Sequence, residues 1–146
     1  DPGLGFDAHY YGPYSSTVDN VISQLKNLNF VEERNTAFGV ISGGFEMKRY
    51  DYSLTADGEK VLERLRSSAE YKTIAESIQK IKGAGDPDYV TLSIAAKIFF
   101  ILHRRNKAMS TAEIQKEGAK LNWDIQPPVL THAVTFLQKL EVAKDA

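Results

Sequence analysis

Residues 11–65, YGPYSSTVDNVISQLKNLNFVEERNTAFGVISGGFEMKRYDYSLTADGEKVLERL, set the order of elements on which the fold turns. Pro13 keeps the chain extended, and Ser16 with Asp19 behind it makes a capping box in which Asp replaces Glu. Val18, Val21, Ile22, Leu25 and Leu28 then recur at the spacing of one helical stripe. Thr17, Asp19, Asn20, Ser23, Gln24 and Lys26 take the opposite, polar face. Phe30 to Asn35 follows as a short strand. Phe45 to Leu54 returns as a second one, with Tyr50, Tyr52 and Leu54 alternating to one face. Gly43-Gly44 sits in the excursion between them. Thr55, with Asp57 in the first turn, starts a helix that carries Val61, Leu62 and Leu65.

The order helix, strand, tip, strand, helix resembles the winged helix-turn-helix family of prokaryotic transcription regulators, broadly of the MarR and PadR kind. Tyr52-Ser53-Leu54-Thr55-Ala56-Asp57-Gly58 resembles the Y-x-L-T-x-x-G phrase with which many such domains leave the wing. The entry Tyr11-Gly12-Pro13-Tyr14-Ser15 is similar to a variant of some prokaryotic members. The resemblance implies that the helix running into the hairpin is a recognition helix and that the hairpin is a wing. It covers the first half of the chain well and the last third more loosely.

The 146 residues suffice for one ordinary domain or two small ones. No apolar run approaches the ~20 residues of a membrane span, since Ile98 to Leu102 runs straight into His103-Arg104-Arg105. No signal-peptide pattern is present, so the expected location is cytoplasmic. The chain has no cysteine, which excludes disulfides and thiolate metal sites. It opens on Asp, and its methionines are Met47 and Met109, so it reads as a processed or truncated piece. A complete winged helix needs two helices before the recognition helix. There is no room for them ahead of Tyr11, so they are expected upstream or from another part of the chain.

Charge gives DNA no help. The chain holds 18 Lys and Arg against 19 Asp and Glu, a balance of −1. Residues 1–82 hold 10 against 12, and residues 83–146 hold 8 against 7. Nucleic-acid-binding domains are usually basic, so any positive face must come from local arrangement.

Pro2-Gly3-Leu4-Gly5 is turn chemistry in an entry segment. Past Leu65 the helical pattern runs on through Tyr71, Ile74, Ala75, Ile78 and Ile81 to Gly83, with Ser67-Ser68 as a break or a weak spot. This helix is a linker or a dimerisation arm. Residues 83–88, with two Gly and one Pro, form the clearest boundary. A helix from Tyr89 to Arg105 is apolar most of the way round, as a central core helix is, with Arg104 and Arg105 at its negative end. Ser110-Thr111-Ala112-Glu113 is a capping box opening a helix to about Leu121, and Pro127-Pro128 presets another. A shift of 112 places Val18, Val21, Ile22, Leu25 and Leu28 on Leu130, Ala133, Val134, Leu137 and Leu140, and Phe30 on Val142. The last three helices therefore read as a second helix-turn-helix unit.

No catalytic constellation emerges. His9, His103 and His132 lie far apart and in no metal-ligand spacing, and Glu32-Glu33 point to opposite faces of a strand. Gly43-Gly44 lacks the Lys and the setting of a phosphate loop. Capping explains Ser15-Ser16. The reading is of a protein that is not an enzyme, with no cofactor and no metal.

For DNA, a recognition helix works through residues such as Ser, Thr, Asn, Gln, Arg and Lys near its start. The first unit offers Tyr14, Ser15, Ser16, Thr17, Asn20 and Gln24, against which Asp19 repels phosphate. The wing offers Arg34, Lys48 and Arg49 for backbone or minor-groove contact, unless the last two are edge-strand charges that block aggregation. In the second unit Thr131, Thr135 and Gln138 share a face flanked by His132 and Lys139. The aromatic run His9 to Tyr14 and Trp123 are read as packing that completes a small core.

The expected fold is mainly α with a β-hairpin wing (α+β): a winged-helix-like unit over 1–66, a connecting helix and linker over 67–85, and a second helix-turn-helix unit over 86–146. The expected function is transcription regulation through duplex DNA, by a homodimer reading two half-sites. The rival is a non-enzymatic protein-interaction or antitoxin-like module on the same units, with a protein partner in place of DNA.

Overall fold

The computed structural model describes residues 4–41, 45–85 and 87–142, with side chains placed outside 36–49. Among these lie six helices and two antiparallel hairpins, a mainly helical α+β arrangement. In chain order they are β1 (Asp7–His9), β2 (Gly12–Tyr14), α1 (Ser16–Asn27), β3 (Val31–Ile41), β4 (Phe45–Leu54), α2 (Ala56–Leu65), α3 (Ala69–Gly83), α4 (Tyr89–Arg105), α5 (Thr111–Lys120) and α6 (Pro127–Lys139). No described helix is long and apolar enough to cross a membrane.

The chain divides into two compact units, one built on Ser16–Lys72 and one on Gly5–Ser15 with Thr73–Ala146. The expected borders fell at 66 and 86. The division runs instead inside α3, and residues 5–15 belong with the C-terminal helices.

In the first unit the expected order holds. β3 is longer than the short strand ending at Asn35, because its pairing with β4 continues from Val31↔Leu54 to Ile41↔Phe45, with an irregularity between Ala37 and Val40. The glycine tip, Gly43-Gly44, lies outside the described residues. Ser16 opens α1 rather than capping it, so Ser15 takes the position before the helix. α1 ends in a Schellman turn. Asn29 is left-handed at φ 57°, its N–H donates to the Lys26 carbonyl, and the Phe30 N–H reaches back to Leu25.

That turn locks onto the start of α2, which gives the T-x-x-G phrase a physical reason. Thr55 Oγ1 donates to the Asn29 carbonyl at 2.6 Å and accepts from the Gly58 N–H at 3.0 Å. The Thr55 N–H donates to the Phe30 carbonyl at 3.1 Å. Helix α2 stops at Leu65, and the Ser68 hydroxyl accepts from the Tyr71 N–H to begin α3, so Ser67-Ser68 is a true break.

The second unit holds the buried core. Ile94, Ala95, Ile98 and Ile101 of α4 pack with Ile114, Leu130, Ala133, Phe136 and Leu137, closed by Met109, Trp123 and Ile125 from the connections. α4 was expected to be buried nearly all round. It is buried on one side only, for Leu92 and Phe99 stay 39% and 45% exposed. α6 repeats the end of α1. Glu141 is left-handed at φ 58°, its N–H donates to Gln138, and the Val142 N–H reaches Leu137. These are the positions of Asn29, Lys26, Phe30 and Leu25 shifted by 112, so the correspondence extends from the apolar stripe to the cap.

The segment 5–15 departs from expectation. In place of an entry segment and a core plug it forms the hairpin β1–β2, with His9↔Gly12 closing the Tyr10-Tyr11 turn. Tyr10, Tyr11 and Tyr14 remain 64%, 57% and 41% exposed, so they do not complete a core. The hairpin is tied to the rest of this unit by Trp123, buried to 2% exposure, whose Nε1–H donates to the His9 carbonyl at 2.7 Å, and by the contact of β2 with α4.

The α5 capping box is as expected: Ser110 Oγ accepts from the Glu113 N–H, and the Glu113 carboxylate accepts from the Ser110 N–H at 2.8 Å. The Ser110 amide, then its hydroxyl and the Lys107 ammonium, pull the Glu113 pKa from 4.5 down to about 2. A depressed carboxylate stabilises the fold above its unfolded pKa. This contribution is therefore expected in full above pH 4.5 and to fade as pH falls toward about 2. A carboxyl NMR titration checks it: the Glu113 midpoint lies near 2 and rises only part of the way toward 4.5 in Ser110→Ala, which deletes the hydroxyl and keeps the amide donor.

Candidate nucleic-acid interface

The exposed face of α1 follows from its pattern. Ser16, Thr17, Asn20, Ser23 and Gln24 are all exposed, with Asp19 among them. The 12 residues of the helix span about 18 Å at the usual rise. Tyr14 is exposed before it. Ser15 is a correction to the expected contact set: at 4% exposure its side chain is withdrawn from solvent, and it lies in the other compact unit.

At the base of the hairpin, Val31, Glu33 and Asn35 lie opposite Leu54, Tyr52 and Tyr50, and so share one face. Lys26 of α1 donates to Glu33 at 2.6 Å. That bond, with a second from the Tyr52 hydroxyl, holds the Glu33 carboxyl below its ordinary range. Partial burial and then Glu33 push the Tyr52 phenol up. The three residues tie helix to hairpin, a role the sequence pattern did not reveal because Lys26 read as a polar-face residue. Arg34 is exposed on the other face, opposite Asp51. Lys48 and Arg49 pair with Ala37 and Thr36 in the backbone register; their side chains lie outside the described residues.

Among the described residues the apolar side of this unit is open. Among its described side chains none of the large apolar ones is buried: Val21 is 47% exposed and Leu28 61%. Gly58 alone is buried among the described residues of this unit.

In the second unit Thr131, His132, Thr135 and Lys139 are exposed on α6. The two threonines are turned back on their own helix: Thr131 Oγ1 donates to the Pro127 carbonyl and Thr135 Oγ1 to that of Thr131. Their oxygens remain as acceptors. The Asp88 carboxyl, which caps α4 on Thr91, is held below its ordinary range by those bonds, with His132 a minor contributor.

Compared with known proteins, the chain matches no family model, no curated protein and no solved structure.

Among the described residues of this unit lie two concavities. One, of 420 Å3, is walled by Tyr11, Pro13, Tyr14, Ser93 and Ala96. Beside it Lys97 packs its stem against Gly12, where a Cβ would meet Lys97 Cε at 3.4 Å, and burial lowers the Lys97 pKa against the opposing pull of Asp124. The other is a basic cleft between α4 and α5. In the sequence Arg104 and Arg105 stand only as partners of the helix dipole, because Lys120 and Glu117 come from a different helix.

Proposed function

We propose that this chain is a duplex-DNA-binding transcription regulator of the winged helix-turn-helix kind, acting as a homodimer. The observation that carries the reading is the run α1–β3–β4–α2: an exposed polar helix feeding directly into a hairpin of eleven residues against ten. At about 3.4 Å per residue such a ribbon reaches roughly 35 Å, enough to follow a groove beside a docked helix. Ser16, Thr17, Asn20 and Gln24 supply donors and acceptors suited to base edges. Arg34, Lys48 and Arg49 supply the cations of a wing.

Anisotropy of a labelled mixed-sequence duplex at two salt concentrations tests it. Phosphate neutralisation makes affinity fall steeply with salt. Reversing two wing charges in Lys48→Glu with Arg49→Glu is expected to weaken binding by at least tenfold. Duplex affinity that survives the double reversal takes the wing out of the mechanism.

A second reading is favoured by the open apolar side of the first unit and by Asp19 on its polar face: an interaction module that closes its core on a protein partner. Salt-independent association with a protein, and no affinity for duplex DNA at low salt, is the result that would put it first.

A further inference from the structure

We infer that the α4–α5 surface of the second unit is a binding site for single-stranded nucleic acid, separate from the duplex-reading helix and wing. Three observations converge there. The first is charge. Residues 103–120 carry five Lys and Arg against two Glu, a balance of +3 in a chain whose total is −1. A positive patch on an otherwise acidic molecule concentrates anions locally.

The second is a shaped place for a phosphate. A cleft of 160 Å3 opens between the two helices, walled by Phe100 and Leu121 and rimmed by Arg104, Arg105 and Lys120. Glu117 accepts from Arg105 Nε at 3.0 Å and from Lys120 Nζ at 2.5 Å, which fixes both cations at the rim. Those bonds, Lys120 first and then Arg105, hold the Glu117 carboxyl below its ordinary range. Arg104 makes no ion pair among the described residues. Three cations against one carboxylate leave a surplus that suits a backbone phosphate.

The third is an exposed stack. Phe99 lies on His103, with ring centroids 6.0 Å apart and planes at 18°. Phe99 is 45% exposed, so ring face is offered to solvent. Each stacking residue precedes a cleft residue in sequence, Phe99 before Phe100 and His103 before Arg104. The stack and the cleft therefore occupy adjoining stripes of one helix, about 100° apart. A basic groove beside an aromatic face is the arrangement by which single strands are held, since every unpaired base has a face to stack. Duplex bases have theirs already covered, which is why the site fits a single strand.

The test is anisotropy of short labelled oligothymidylate and oligouridylate, with a hairpin duplex of equal length for comparison, on the full chain at low salt. On the Lys48→Glu, Arg49→Glu background, which removes the proposed duplex contacts of the wing, both single strands are expected to bind more tightly than the duplex. Arg104→Gln with Lys120→Gln is expected to weaken single-strand binding about tenfold, leaving Glu117 paired with Arg105. Phe99→Ala is expected to weaken it by a similar factor, and Phe99→Trp to preserve it. All of these side chains are at the surface, and circular dichroism verifies that each variant folds. The double wing variant, Lys48→Glu with Arg49→Glu, is expected to bind the single strand like the parent, so failure of the duplex reading leaves this one standing. Absence of single-strand binding by the parent chain overturns the inference, as does binding that Phe99→Ala leaves unchanged.

Discussion

A Gly58→Ala substitution is expected to cost the first unit about 3 kcal/mol. The magnitude follows from what the new methyl meets. A Cβ at Gly58 would stand 2.1 Å from the Phe30 carbonyl oxygen, 3.0 Å from its carbon and 3.2 Å from Leu54 Cδ2. The oxygen is main chain, so no rotamer change relieves the contact. Overpacking of this kind typically costs 1–3 kcal/mol. To move away, the Phe30 peptide must give up the Thr55 N–H and drag the Schellman turn off Thr55 Oγ1. Each lost hydrogen bond adds about 1 kcal/mol. A unit of roughly 60 residues holds only about 3–9 kcal/mol in all, and among its described residues Gly58 alone is buried. Amide exchange in α1 and α2 is expected to rise toward the unprotected rate while α4 and α6 stay protected. A melting profile and exchange pattern equal to the parent's would mean that the α1–α2 junction does not hold the unit together.

The same junction shows what a sequence can and cannot disclose. The caps were legible because their partners are local: Ser110 and Glu113 lie within one turn of each other, as do Thr55 and Gly58. The bounds of α4 and the proline start of α6 were legible for the same reason. The need for glycine at 58 was visible only as a phrase, because the atom that forbids a side chain belongs to Phe30, on another element. α4 misled because a helix apolar all round is indistinguishable in sequence from one that keeps an exposed apolar stripe, here Leu92 and Phe99. The correspondence of α1 with α6 was visible as a shift of apolar residues, and the left-handed Asn29 and Glu141 give it a shared cap. Of the candidate contacts, the polar face of α1 could be read from its periodicity. The burial of Ser15 could not, nor could the basic cleft, whose cations come from the last turns of two helices, Arg104 and Arg105 of α4 and Lys120 of α5.

Trp123→Ala is expected to destabilise the second unit by about 4 kcal/mol, in the range for a buried tryptophan cut to alanine. Trp123 is 2% exposed and meets Phe100 edge-on at 5.6 Å, so the cavity opens directly beneath a wall of the basic cleft. Packing is one part of its work and tethering is the other. Its Nε1–H holds the His9 carbonyl, 114 residues away in sequence, and with it the hairpin β1–β2. Three-residue strands have little stability alone. Trp123→Phe separates the two roles by keeping most of the ring and deleting the donor. It is expected to cost about 1–2 kcal/mol yet to release the hairpin, seen as fast amide exchange confined to residues 7–14. Urea denaturation followed by circular dichroism gives the stabilities, since the only tryptophan is the residue replaced. If Trp123→Phe leaves exchange in the hairpin unchanged, the contact of β2 with α4 holds the segment and the indole bond is incidental. If it frees the hairpin while α4 and α6 stay protected, the indole N–H is what assigns residues 5–15 to the C-terminal unit.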